Sequence, residues 1–203
     1  PVGVTNASGV ATGTLASTVV ASKVVSATIN GTGITQTATV TVTPGAVSAA
    51  QSTVIAATAS FAAGVNTTIT VTARDASGNV VPGATVSLTA TGTGNTITQP
   101  AAVTNASGVA TGTFSSTVAQ AKTISATIGA VAVTQTAAVT VTPAAISPTV
   151  STFTAAPLTI AAGGPTTTLT ATIRDAFGNT IAGATVAITS DGTGNTIVQP
   201  AAV

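Results

Sequence analysis

The chain has 203 residues and carries only seven charges (Lys23, Arg74, Asp75, Lys122, Arg174, Asp175 and Asp191), for a net charge of +1; His, Cys, Met, Trp, Tyr and Glu are absent. Without His, Cys or Glu the common general bases, nucleophiles and metal ligands are gone, and so near-neutral a chain has no electrostatic footprint for nucleic acid or anionic lipid. Mean hydropathy is +0.64 and polar residues alternate with apolar ones, which excludes a disordered or mucin-like chain.

Thr and Val, stiff at Cβ, stand where a helical chain would carry Leu, Glu and Lys, so the elements are strands. Residues 35–43 alternate and read as a strand, closed by Pro44, which has no N–H for a ladder. The next strand is expected over 54–61, ended by Ala62-Ala63-Gly64, and another over 67–74. Asp75-Ala76-Ser77-Gly78-Asn79 reads as a turn, with Asp at its start and a Gly-Asn pair suited to positive φ. A strand over 84–91, the turn Gly92-Thr93-Gly94-Asn95 and a second turn at Asn105-Ala106-Ser107-Gly108 follow. Strands over 109–115 and 123–128, a turn at Gly129-Ala130 and a final run over 131–141 lead to Pro143. This makes seven or so strands, mostly antiparallel, with Val, Ile, Leu, Ala, Phe61 and Phe114 inward and Thr and Ser outward.

The pattern repeats. Asn6-Ala7-Ser8-Gly9-Val10-Ala11-Thr12-Gly13-Thr14 recurs as Asn105 to Thr113, 99 residues on, and Val40-Thr41-Val42-Thr43-Pro44 recurs as Val139 to Pro143. Arg74-Asp75-Ala76-Ser77-Gly78-Asn79 matches Arg174-Asp175-Ala176-Phe177-Gly178-Asn179, with one residue inserted near Pro165. A period of about 99 residues is too long for a solenoid or propeller blade and suits one immunoglobulin-like sandwich. The expected class is therefore all-β, in tandem immunoglobulin-like antiparallel sandwiches of Greek-key type. The expected division is 1–43 as the C-terminal part of one domain, 44–143 as a complete domain and 144–203 as the N-terminal part of a third. Pro1 stands in phase with Pro100 and Val203 with Val103, as in an excerpt of a longer repeating polymer whose export signal lies elsewhere. If the cut is real, 144–203 of one copy would instead pair with 1–43 of the next. No apolar run approaches the roughly eighteen residues of a membrane-spanning helix.

The residues Val71-x-x-x-Asp75-x-x-Gly78-Asn79-x-Val81-Pro82-Gly83-Ala84-x-Val86, followed by Thr104-Asn105-Ala106-x-Gly108-Val109-Ala110-Thr111, resemble the tandem bacterial immunoglobulin-like domains of invasin, intimin and related surface adhesins. The third unit keeps the first block with Ala182 where the family often has Pro, and Asn6 and Asn105 stand where many members carry Asp. The resemblance implies an extracellular, cell-surface spacer that holds a binding tip away from the membrane, and no lectin-like tip lies in this chain.

No catalytic, cofactor-binding or metal-ligating residues are expected, since paired-carboxylate hydrolysis and calcium bridging both need clustered acids and the complete unit has only Asp75. A Lys–Asn or Lys–Asp isopeptide crosslink through Lys23 or Lys122 is the sharpest chemical alternative. Against it stands the plainer expectation of a solvated Lys122 and a turn-forming Asp75. Sequons at Asn6, Asn30, Asn66 and Asn105 arise readily in such a composition, so glycans are an open possibility only. So few charges leave sheet edges without the usual Lys protection. The expected partners are therefore neighbouring copies of the same repeat, end to end or laterally. The leading functional expectation is a stiff stalk or filament, each domain adding on the order of 40 Å from strands rising about 3.3 Å per residue. The alternative, an adhesin or carbohydrate-binding surface, has only Phe177 as a loop aromatic.

Overall fold

A computed structural model describes residues 3–201, and its central part, from Thr53 to Thr142, is a two-sheet sandwich. One sheet has the order β5-β7-β10-β9, from β5 (Thr53–Ala56), β7 (Thr67–Thr72), β10 (Val109–Ser116) and β9 (Asn95–Thr98). In the other, β11 (Ala121–Ile128) lies between β8 (Val86–Ala90) on one side and β12 (Val131–Ala132) and β13 (Ala137–Thr142) on the other. β6 (Ser60–Ala62) runs parallel beside β13, and every other pair is antiparallel. This is the strand arrangement of a constant-type immunoglobulin sandwich.

Alternation places Ile69 and Val71 of β7, Phe114 of β10, Leu88 of β8 and Ile124, Ala126 and Ile128 of β11 between the sheets, all buried. Phe114 meets Phe61 edge to face, with ring centroids 6.1 Å apart and an interplanar angle of 77°. Gly112 marks the closest approach of β10 to its neighbours: a Cβ there would lie 2.5 Å from the Thr98 carbonyl oxygen and 2.7 Å from Leu88 Cδ1.

Three strand expectations change. The run over 54–61 is two strands, because the chain crosses from one sheet to the other at residues 57–59. There the Thr58 N–H donates to the Thr67 hydroxyl at 3.0 Å, and the Ala59 carbonyl accepts from Thr140 N–H at 2.8 Å. The run over 131–141 is also interrupted, between β12 and β13, where Thr134 N–H donates to the Ala49 carbonyl at 3.0 Å. β9 had no counterpart in the sequence reading, for it follows directly on a Gly-rich turn and is only four residues long.

The edge of β8 is closed by a side chain. Gln99 Oε1 accepts from Leu88 N–H at 2.7 Å and Gln99 Nε2 donates to the Leu88 carbonyl at 2.8 Å, so the amide stands in for a strand residue. Gln199 does the same for Ile188, at 2.9 and 2.8 Å. The edge therefore has a device other than charge. Gln99→Ala leaves both Leu88 groups unpartnered, and the expected result is a loss of about 1–3 kcal/mol in urea unfolding together with concentration-dependent association in light scattering.

In the flanking units, β1 (Ala21–Val25) pairs β4 (Ala38–Val42), β2 (Thr28–Ile29) pairs β3 (Thr32–Gly33), and β14 (Thr152–Ala156) pairs β15 (Thr168–Thr172), all antiparallel. Asn30 and Gly31 between β2 and β3 both have positive φ, 48° and 83°, as a two-residue hairpin of the twisted kind requires. Among the described residues, core-type positions of these units stay open: Ile29 is 60% and Phe153 58% exposed, whereas their counterparts Ile128 and Val54 are each 1% exposed.

Candidate functional site

The structure gathers the charged and amide residues of the Arg-Asp-x-x-Gly-Asn turn at the junction between successive units. Asp75 and Asp175 are buried. Asp75 Oδ1 accepts from the N–H groups of Ser77 and Asn79, both at 2.9 Å, which closes the turn. Its Oδ2 accepts from Asn79 Nδ2 at 2.9 Å and from Gly45 N–H at 2.9 Å, reaching the connection that follows Pro44. Asp175 repeats the set: Phe177 and Asn179 N–H at 2.9 and 2.8 Å, Asn179 Nδ2 at 2.7 Å, and Ala144 N–H, just past Pro143, at 2.8 Å. The connection is pinned a second time, as Ser48 and Ser147 N–H donate to the carbonyls of Arg74 and Arg174 at 2.7 and 2.8 Å.

The asparagine reaches the preceding unit. Asn179 Nδ2 donates to the Thr117 carbonyl at 2.9 Å while its Oδ1 accepts from Ala119 N–H at 2.9 Å, in the loop between β10 and β11. Asn79 makes the same pair with the equivalent loop of the first unit, to the Thr18 carbonyl at 2.9 Å and from Val20 N–H at 3.4 Å. Gly78 and Gly178 supply the positive φ of the turn, 84° and 86°, and Asn79, for which positive φ was also expected, has none. Its side chain serves between units instead.

Phe177, the loop aromatic, also reaches the junction while about half of it (48%) stays exposed. A Cβ at Gly64 of the preceding sandwich would lie 2.7 Å from Phe177 Cζ, so the ring covers that glycine. A cleft of about 470 Å³ at the same junction is lined by Gln120, Pro143, Arg174 and Asn179 among others. Arg174 Nη1 donates to the Gly178 carbonyl, as Arg74 Nη1 does to that of Gly78 at 2.7 Å, so both guanidinium groups brace the turn.

The carboxyl groups are held in the anionic form. The Asn79 amide, then Gly45 N–H, keep Asp75 below the ordinary carboxylate range. Burial pushes Asp175 the other way, and the hydrogen bonds from Asn179, Ala144 and Phe177 outweigh it, so its pKa is also lowered. What each turn adds to stability is therefore whole above the ordinary carboxyl pKa and is lost as pH falls through the depressed one.

Lys122 departs most from expectation. It is 2% exposed, on the inward face of β11 in the same alternation as Ile124 and Ala126. Its Nζ donates to the Thr93 carbonyl at 2.6 Å and lies 3.4 Å from Gln120 Oε1. The solvated Lys122 of the sequence reading is thus a buried one, and burial lowers its pKa. Asp75 belongs to a separate set of hydrogen bonds, at the junction with the first unit, so the Lys122–Asp75 crosslink has no geometry to support it. The parity of β11 was the available signal, since a residue two before a core Ile faces inward. Lys23 is half-buried on β1. No group of three or more potential metal ligands occurs among the described residues.

Residues 50–142 match the bacterial Ig-like domain (group 1) family. Among solved structures the chain is similar to the FdeC adhesin of Escherichia coli, at 31% identity and a TM-score of 0.56, over 76% of this chain and 50% of that one. It is similar to invasin, a bacterial integrin-binding protein, at 26% identity and a TM-score of 0.60, over 88% of this chain and 37% of that one. InvD of Yersinia pseudotuberculosis shares the fold, at 24% identity and a TM-score of 0.58, over 80% of this chain and 52% of that one. The chain spans about half the length of these structures or less. No curated protein sequence matches it.

Proposed function

Because the chain belongs to the bacterial Ig-like domains of the invasin and intimin type, we propose that it is a non-enzymatic, extracellular segment of a stiff stalk or filament on a bacterial surface. Its division at Pro44 and Pro143 into the end of one sandwich, a whole one and the start of another belongs to the same reading. The observation that carries it is the recurrence of one junction: Asp and Asn make the same hydrogen bonds at residues 75–79 and 175–179. Repeated junction geometry gives a regular rod, and a connection pinned at Gly45 or Ala144 has little freedom to bend. FdeC is an adhesin and invasin binds integrin. In this segment the one loop aromatic, Phe177, rests partly on Gly64 at the junction and stands without a second aromatic beside it in a loop, which favours a spacer over a binding face and leaves adhesion to domains elsewhere.

The test is small-angle scattering of arrays in which further copies of the repeat are inserted into the chain. For a rod, the maximum dimension rises linearly, by about 40 Å per added repeat, on the order of one strand length plus a junction. Growth with the square root of repeat number, as for a flexibly linked chain, would refute the stiff stalk.

A further inference from the structure

We propose that the Asp-x-x-x-Asn turn is a coupler that reads only backbone, and that its partner is the β10–β11 loop of whichever repeat precedes it. The proposal deepens the stalk reading and rests on its tandem arrangement. Every hydrogen bond that the Asp and Asn side chains make outside the turn goes to a main-chain group. Asp75 and Asp175 take the N–H of Gly45 and Ala144, two different residues. Asn179 spans the Thr117 carbonyl and the Ala119 N–H, and Asn79 spans the Thr18 carbonyl and the Val20 N–H. Position 20 is Val where position 119 is Ala, yet the amide docks in the same way.

One N–H and the oxygen of the carboxamide stand at the spacing of a peptide group, which adds one extended residue to the loop and leaves the second N–H for the carboxylate. The carboxylate behind it holds the amide by Nδ2, at 2.9 Å in one junction and 2.7 Å in the other, and so fixes which way the amide points. Only the loop's backbone course is specified, and its side chains are free to vary. Repeats can then follow one another in any order, and an array can lengthen or shorten by whole units without a new interface. The Phe177 contact at Gly64 is an addition to the second junction, since Ser77 takes that place in the first.

Amide hydrogen exchange on the full chain tests this. Asn179→Ala is expected to speed exchange of the Ala119 amide about tenfold, since that amide loses its acceptor, and Asn79→Ala to do the same at Val20. Ala119→Val, which gives the second loop the first loop's residue, and Ala119→Ser are expected to leave the amide at 119 protected. The core amides of Ile69 and Ile124 report whether the sandwich stays folded in each variant. Unchanged exchange at Ala119 in Asn179→Ala, with the core intact, would overturn the coupler. Loss of protection at 119 in either side-chain variant would overturn backbone-only reading. Either failure leaves the scattering result for a stiff rod standing on its own.

Discussion

Phe114→Ala is expected to destabilise the central sandwich by about 3–5 kcal/mol, the range for deleting a buried Phe. Phe114 is fully buried at the middle of β10 and meets Phe61 across the sheets. The chain has four Phe and no Trp, Tyr or Met, so a core of Val, Ile and Ala has little flexible side chain to fill the space. Nor can β10 move inward, because Gly112, two residues before Phe114, already sits against the Thr98 carbonyl and Leu88. Native-state hydrogen exchange of the β7 and β10 amides measures the loss directly. A change below about 1 kcal/mol would mean that the two sheets close over the gap, contrary to the close packing at Gly112. The first unit carries Leu15 at the equivalent position, so Phe114→Leu is expected to cost far less than the alanine variant.

The second large effect concerns Lys122. Lys122→Ala is expected to cost about 2–4 kcal/mol, from the cavity and from the Thr93 carbonyl left without its donor. Lys122→Met leaves the same carbonyl without its donor but keeps the volume and removes a charge that burial disfavours, so it is expected to stay within about 1–2 kcal/mol of the unsubstituted chain. The pH dependence separates the two contributions. The folded pKa of Lys122 lies below its unfolded value, so between the two the unfolded chain binds more protons and stability rises with pH. The cost of the buried charge is present in full below the folded pKa and is relieved as pH rises toward the ordinary lysine range. Urea unfolding is therefore expected to show a gain in stability on going from neutral pH toward pH 10, and Lys122→Met to abolish it. A flat profile in the unsubstituted chain would place the ammonium in contact with water.

The two aspartates and this lysine behave differently for one reason. The carboxylates meet several N–H donors each, and the buried ammonium meets only the Thr93 carbonyl and, at 3.4 Å, the Gln120 amide oxygen. Hydrogen bonding wins at the junction, and desolvation wins inside the sandwich.

Much of the fold is written along the chain. Alternation of buried apolar or small residues with Thr and Ser marks β7, β10 and β11 because a sheet with one buried face imposes a period of two on every strand. The turns at 75–79 and 105–108 are local as well, since an Asp or Asn side chain closes them over its own neighbours. Period and composition together led to tandem immunoglobulin-like sandwiches, and the residues from Val71 to Val86 and Thr104 to Thr111 carried the resemblance to invasin and intimin. Tertiary structure alone decided where a strand changes sheets, as at residues 57–59, because the pattern of apolar residues is the same on either sheet. It alone turned Gln99 into an edge closure and Asn79 and Asn179 into links between units. Those roles depend on which backbone groups lie unpaired nearby, 11 residues away for Gln99 and about 60 for the asparagines. A short-range pattern records what a residue packs against in its own strand; it carries no record of a main-chain group that another unit brings to it.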